Sequence, residues 1–427
     1  MPLRAAWSDL LPCAPAGDAL ERGGVVPAPG GANFYVIRRL GGGAYGTTYS
    51  VAREPNGPPL AVLKVFVRDT SRSARTGQLR QSPQEFDEIV RREFAMGKLI
   101  ERVTLGRFCV DGDGVCPLEQ WRDARLPNTA FMTFPFRNAR SLRDYTQKEM
   151  WPLLRSSDSA MVRAGVLAQL RRGVELLRAL GHMHAVNTYH RDLAPRNVLV
   201  ARLDSAAPSA SLSRNRAVLI DFGLACTDTD ESAQLQLREA SFDPSDVFCD
   251  LRGIVDPVFG DPVLAASEQR RRVLLPRGRD GLPRADEPGD NELDHTYWIY
   301  DVYSAGVMLN FMIEPRFRES IARSRERAAA GNRRIWPNFS QATELPEGLV
   351  AVIGSMTNPD RTRRKSALEY AYLLDIVLER YGKRTAREED AKKRRREEEA
   401  DDEEGSGFFT DEDEETRTEG SYDEELV

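Results

Sequence analysis

Apolar positions along the chain follow two periods, and the change from one to the other divides it. From Phe34 to Leu40 and from Thr47 to Ala52, β-branched and aromatic residues form short runs on either side of a glycine cluster. Leu60 to Val67 is a third run, entered through the turn Glu54-Pro55-Asn56-Gly57-Pro58-Pro59. These predict an antiparallel meander. Phe86, Ile89, Val90, Phe94, Met96, Leu99 and Ile100 then fall mostly three or four apart, which predicts a helix, and Val115–Trp121 and Thr129–Phe136 predict two further strands.

Beyond Pro135 the period becomes helical. Val162, Val166, Leu170, Val174 and Leu177 repeat every three to four residues after Ser157 and Asp158, either of which can cap the helix start. Tyr300 to Met312 is apolar nearly all round and predicts a helix buried on every side. Leu349–Ile353 and Ala367–Leu378 predict further helices.

Two stretches interrupt this order. Asp204–Arg216 is small and polar, and Thr227 to about Asp294 mixes Arg, Asp, Gly and Pro with few periodic apolar positions. The second is too long for a structureless loop within a domain unless it has a function or stays unfolded. The first thirty residues, rich in Ala, Pro and Gly, read as a flexible leader, and the chain beyond Gly382 turns into charge runs.

With 427 residues, 41% hydrophobic and 30% charged, the chain can bury a substantial core. Its net charge of −6 is unevenly placed. Sixteen acidic residues and one arginine lie between Glu397 and Val427, so that segment carries −15 and the rest +9. Spread over so many residues, +9 forms no nucleic-acid stripe, and no nucleic-acid partner is expected. The five cysteines, Cys13, Cys109, Cys116, Cys226 and Cys249, are odd in number and lack a C-x-x-C pair. They argue against a disulfide framework or zinc site and for an intracellular location, cytoplasmic or nuclear. No apolar run is long enough for a membrane span, and Asp9, Asp18 and Glu21 break any signal-like core, so no membrane association is expected.

Only seven of the sixty basic residues are lysines, which makes a lysine inside an apolar strand informative. Lys64 is one, in Ala61-Val62-Leu63-Lys64. A fixed ammonium there can face bound phosphates, or it can be an edge-strand lysine in water. Glu93 is its best partner on the following helix, with Glu85 and Glu88 also available. Upstream, Leu40-Gly41-Gly42-Gly43-Ala44-Tyr45-Gly46 holds a G-x-G-x-x-G loop between two strands. Joining strand to strand, it does not fit a dinucleotide-binding strand–helix turn, and it reads either as a phosphate-covering loop or as a plain glycine-rich hairpin.

The strongest signal is His190-Arg191-Asp192-Leu193-Ala194-Pro195-Arg196-Asn197, followed by apolar Val198-Leu199-Val200 and then Asp221-Phe222-Gly223 after Ala217-Val218-Leu219-Ile220. Here the chain resembles the eukaryotic-type protein kinase family, whose H-R-D-L-x-x-x-N and D-F-G motifs these residues match position by position. The likeness runs from about Asn33 to Gly382. Asp301-Val302-Tyr303-Ser304-Ala305-Gly306 is similar to the family's D-x-W-S-x-G with Tyr303 in place of tryptophan. Arg284-Ala285-Asp286-Glu287 resembles R-A-P-E with Asp286 for proline, and Arg361, Arg363 or Arg364 would be the partner of Glu287.

The resemblance implies an α+β, bilobal protein-kinase-like fold: a small antiparallel β lobe over about 33–134 and a larger α-helical lobe over about 138–382. The hinge falls near Phe134–Arg137, the activation segment carries an insertion over about 227–294, a leader covers 1–32 and a charged disordered tail 383–427. It implies an enzyme that moves the ATP γ-phosphate to protein hydroxyls, with ATP and Mg²⁺ as cofactors. By the same likeness Asp192 is the catalytic carboxylate, with Lys64 and Asn197 beside it. Leu40, Gly41, Gly43, Gly46, Thr48, Lys64, Glu93 and Asp221 bind the nucleotide, and Asn197 and Asp221 hold the metal.

Substrate choice stays open in the motifs. Ala194 stands where many serine/threonine kinases carry lysine, and Arg196 resembles the tyrosine-kinase pattern, yet the tyrosine-kinase form of the 282–287 segment is missing. Serine/threonine specificity is the expectation, with tyrosine or dual specificity, a silent pseudokinase scaffold and a small-molecule kinase as alternatives. Arg191 resembles a phosphate-binding arginine, with Thr227, Thr229, Ser232, Ser241 and Ser245 as candidate phosphorylation sites. Lys392–Arg396 reads as a nuclear-import patch or as part of a charge-laced helix, and the acidic tail as a docking or regulatory element.

Overall fold

The meander forms, and it is one strand larger than the apolar pattern predicts. The computed structural model describes residues 20–28, 31, 33–43, 46–71, 81–104, 119–122, 128–135, 139–202, 215–227, 298–329, 339 and 345–406. Strands β1 (Val25–Pro27), β2 (Asn33–Gly43), β3 (Gly46–Ala52), β4 (Ala61–Val67), β5 (Glu119–Trp121) and β6 (Thr129–Pro135) lie in the order β1-β2-β3-β4-β6-β5. Every neighbouring pair is antiparallel. Register shifts between Val36 and Arg38 and between Arg39 and Gly41 bend β2 and curl the sheet.

The extra strand corrects the leader boundary at residue 32. Val25, Val26 and Pro27 pair with Tyr35, Phe34 and Asn33, Val26 is fully buried, and the backbone N–H of Leu20 donates to the Tyr49 hydroxyl at 2.9 Å. A three-residue strand flanked by glycines and prolines has too little length to show a period, which is why the sequence conceals it.

Both faces of β4 are covered. Ala61, Leu63 and Val65 pack with Val26, Phe34, Val36, Tyr49, Val51 and Phe131 on one side. On the other, Phe66 joins Ala130 and Met132 against Phe86 and Val90 of helix α1 (Pro83–Thr104). This helix starts in a reciprocal cap: Glu85 N–H donates to Ser82 Oγ at 3.1 Å and Ser82 N–H to Glu85 Oε2 at 2.7 Å, with Pro83 leading the first turn. Glu85 is thereby committed to the cap.

Helical structure follows β7 (Ala139–Ser141) as α2 (Leu142–Tyr145), a π turn (Thr146–Met150), α3 (Trp151–Leu154) and α4 (Ser159–His184). Asp158 caps α4, accepting Ala160 N–H at 2.8 Å, as its place in the sequence predicts. Beyond α4 lie β8 (Thr188–Tyr189), a 3₁₀ turn (Pro195–Asn197), β9 (Val198–Arg202), β10 (Asn215–Leu219) and β11 (Cys226–Thr227). They form two small sheets, β10-β9-β7 and β11-β8. Helices α5 (Trp298–Ile313), α6 (Phe317–Ala329), α7 (Leu349–Met356) and α8 (Ala367–Ser406) complete the order, and α5 is buried at every residue from Ile299 to Ile313. The fold is therefore α+β, a curled antiparallel sheet followed by a helical part.

The chain divides into residues 1–378 and 379–427. In the second unit the described residues continue α8 to Ser406, which corrects the expectation of disorder from 383. Ion pairs at i,i+4, Lys383 with Glu379 at 2.6 Å and Arg384 with Glu388 at 2.8 Å, support the helix there, together with straight-chain residues of good helix propensity. Residues 407–427 lie outside the described residues. Among the described residues no helix is long and apolar enough to cross a membrane.

Candidate active site

The antiparallel ladder sets one row of residues across the sheet. Gly41 is opposite Thr48, Thr48 opposite Lys64, and Lys64 opposite Met132. Residues opposed in this way share a face, so the glycine-rich hairpin and Lys64 present to the same side. Thr48 Oγ1 donates to Gly41 O at 3.3 Å across that row, and Leu40 is an exposed residue at its rim. Gly43 pairs with Gly46 at the hairpin end. A Cβ on Gly46 would lie 2.5 Å from the Val65 carbonyl oxygen, so only glycine lets this hairpin press against β4.

Lys64 is buried, and its ammonium holds two carboxylates. Nζ lies 2.5 Å from Glu93 Oε1 and 3.1 Å from Asp221 Oδ1. Of the three glutamates open to it in the sequence, Glu93 is the one that turns inward, three residues after Val90, itself four after Phe86, on the buried face of α1. Burial favours loss of the Lys64 proton, but the Glu93 and Asp221 carboxylates outweigh it and hold the ammonium above its ordinary pKa. The Asp221 side chain is 43% exposed; its partial burial would raise it, and the Lys64 ammonium instead holds it below the usual aspartate range.

Asp221 adopts φ 65°, a left-handed conformation uncommon for residues other than glycine. The turn that follows brings Gly223 close to α1, where a Cβ would meet Glu93 Oε2 at 3.1 Å. That oxygen is buried, and among the described residues it has no hydrogen-bond partner. The Phe222 ring lies 5.4 Å from the His190 ring, and His190 Nε2 is 3.1 Å from Ile220 O, so this turn is fastened to the loop that bears Asp192.

In that loop Asn197 Nδ2 donates to Asp192 O at 2.8 Å and to Asp192 Oδ2 at 2.9 Å, which leaves the Asn197 amide oxygen for ligation. Arg196 Nη2 lies 3.1 and 3.2 Å from the two Asp192 carboxylate oxygens. Burial raises Asp192 above its ordinary pKa, against the opposing pull of Arg196.

The loop is held from beneath by a residue the sequence reading placed only at the start of a buried helix. The buried Asp301 carboxylate accepts His190 N–H and Arg191 N–H, both at 2.8 Å, and its Oδ2 is 3.1 Å from His184 Nε2. Burial would raise Asp301; the His184 hydrogen bond and the other partners reverse that and hold it below the usual range. His184, at the end of α4, carried no signal in the sequence, because a lone histidine in a helix has no pattern to mark it.

Two expectations change. Thr227 is fully buried in β11, its hydroxyl donating to Asn187 O at 3.1 Å, so it is no open phosphorylation site. Cys226 is disulfide-bonded, whereas the cysteine count argues against a disulfide framework. Arg364, one of the three arginines offered as a partner for Glu287, is buried, donating to Asn358 O and Ile299 O and lying 4.9 Å from the Tyr303 ring, which ties it to α5. Arg284–Glu287, hinge residues 136 and 137, Thr229, Ser232, Ser241, Ser245 and the acidic tail lie outside the described residues.

Taken together, one ammonium, three carboxylates and an oriented amide line one side of the sheet and the loops beside it. Among the described residues no group of three or more His, Cys, Asp and Glu side chains forms a metal cage. Asp221 and Asn197 supply instead an all-oxygen pair suited to Mg²⁺, an ion that keeps several waters. No family model matches the chain, and no curated protein matches it.

Proposed function

We propose that residues 20–382 form a two-lobed protein kinase domain that transfers the ATP γ-phosphate to a protein hydroxyl, serine or threonine in the first instance. The observation that carries this reading is the shared grip of Lys64 on Glu93 and Asp221, beside an Asp192 carboxylate bonded to Asn197. These five residues, separated by up to 157 positions along the chain, support the reading by following the order of the motifs.

The roles follow from phosphoryl-transfer chemistry, which needs positioning and charge neutralisation more than covalent help. The β2–β3 hairpin covers the phosphates, and Lys64, fixed by Glu93, steadies them. Asp221 and the Asn197 amide oxygen would hold Mg²⁺, which neutralises phosphate charge when bound. Asp192 orients the acceptor hydroxyl and receives its proton as the oxygen–phosphorus bond forms and ADP leaves. Asn197 fixes the Asp192 rotamer, and Arg196 favours the ionised carboxylate against its burial.

The test is transfer of labelled γ-phosphate to protein, peptide and small-molecule acceptors by the parent chain and by Asp192→Asn, followed by phosphoamino-acid analysis. Transfer to serine or threonine that the substitution abolishes is the expected result. Label on tyrosine changes the acceptor class, label on the small molecules alone changes the substrate class, and no transfer leaves a scaffold.

A further inference from the structure

The residue next to Glu93 grips the other side of the same machinery. Arg92 Nε and Nη2 both donate to the Ala225 carbonyl oxygen, at 3.3 and 3.2 Å, so one guanidinium edge closes on the segment directly after Asp221-Phe222-Gly223. Ala225 N–H donates in turn to Phe222 O at 3.0 Å, which closes the turn that Arg92 holds.

We infer that Arg92 is a positioning residue that locks helix α1 to the Asp221 turn, so that the Lys64–Glu93 and Lys64–Asp221 pairs form together. This rests on the kinase reading and names a control element within the same site. Lys64 reaches two carboxylates on different elements, Glu93 on α1 and Asp221 on the turn, and both contacts hold only at one spacing of helix and turn. Adjacent helical residues point about 100° apart, so Glu93 faces Lys64 while Arg92 extends past it to Ala225.

The turn needs such an anchor. Asp221 sits at φ 65°, a conformation that persists in a non-glycine residue only where its surroundings impose it. His190 restrains the turn from the catalytic-loop side through Ile220 O and the Phe222 ring. Arg92 restrains it from the helix side. Release of the Arg92 contact frees Asp221 to leave its metal-facing orientation without touching Lys64 or Asp221 themselves.

Nucleotide affinity as a function of Mg²⁺, measured by calorimetry with a non-hydrolysable ATP analogue, tests this on Arg92→Ala, Arg92→Lys and the same changes in a Glu93→Gln background. Amide hydrogen exchange over 221–227 and melting temperature are read in parallel. Arg92→Ala is expected to weaken Mg²⁺-dependent nucleotide binding about tenfold, the scale of a hydrogen bond from a charged donor. Exchange over 221–227 should quicken, Arg92→Lys should fall between, and Arg92→Ala should add little once Glu93 is Gln. A lowered melting temperature with unchanged Mg²⁺-dependent affinity, or full additivity with Glu93→Gln, overturns the inference. A parent chain that binds no nucleotide overturns the kinase reading itself and the inference with it.

Discussion

Asp301 Oδ1 accepts the backbone N–H of Arg191 at 2.8 Å, and Arg191 stands at φ 65°. A buried carboxylate thus fixes an unfavourable backbone conformation one residue before Asp192. Asp301→Asn should lower stability by about 3 kcal/mol, since it weakens charge-assisted bonds to two amides and to His184. The folded-state pKa of Asp301 lies below its unfolded value, so its contribution is complete above the ordinary aspartate pKa and fades as pH falls through the folded value. Urea denaturation at neutral and strongly acidic pH should show the gap between parent and variant closing on acidification.

Arg196 opposes the burial that raises Asp192. Removing its charge by Arg196→Gln should move the acid limb of the kcat/KM profile toward neutral pH, because the carboxylate then ionises only at higher pH. Arg196 is about half exposed, so the displacement should shrink as salt is added. A pH–rate profile at two ionic strengths checks both statements.

Two glycines should differ in tolerance. Gly46→Ala sets a methyl 2.5 Å from a backbone carbonyl that cannot step aside, whereas Gly223→Ala sets one 3.1 Å from the Glu93 carboxylate, which can rotate. The first should destabilise by about 2 kcal/mol or more. The second should cost less stability but weaken nucleotide binding, because the displaced carboxylate is the partner of Lys64. Melting curves with and without nucleotide separate the two.

Deleting residues 1–28 should destabilise the sheet by about 3 kcal/mol or more, since it strips Leu20 and Val26 from the core and uncovers Phe34 and Val36. Thermal unfolding of the shortened chain measures this.

How much of this was legible depends on whether a residue's partner is set by local period or by tertiary meeting. The buried face of α1 can be read from Phe86 and Val90, and Glu93 falls on the same side, so the choice among three glutamates was within reach of helical spacing. Asp158 as a cap and the wholly buried α5 were equally local. Arg92, His184 and Arg364 were not, because each finds its partner 65 to 133 positions away on backbone or side-chain atoms with no sequence pattern. The helix beyond residue 383 was hidden for the opposite reason: its charge runs suit a solvated chain and a paired helix alike, and the i,i+4 order of the signs decides.

The outermost strand has a further consequence. β1 is three residues long and ends on Pro27, which has no amide hydrogen to offer. A foreign strand seeking to extend the sheet from this side meets a rim too short and too poor in donors to template it, so the flank is guarded against runaway self-association by its brevity.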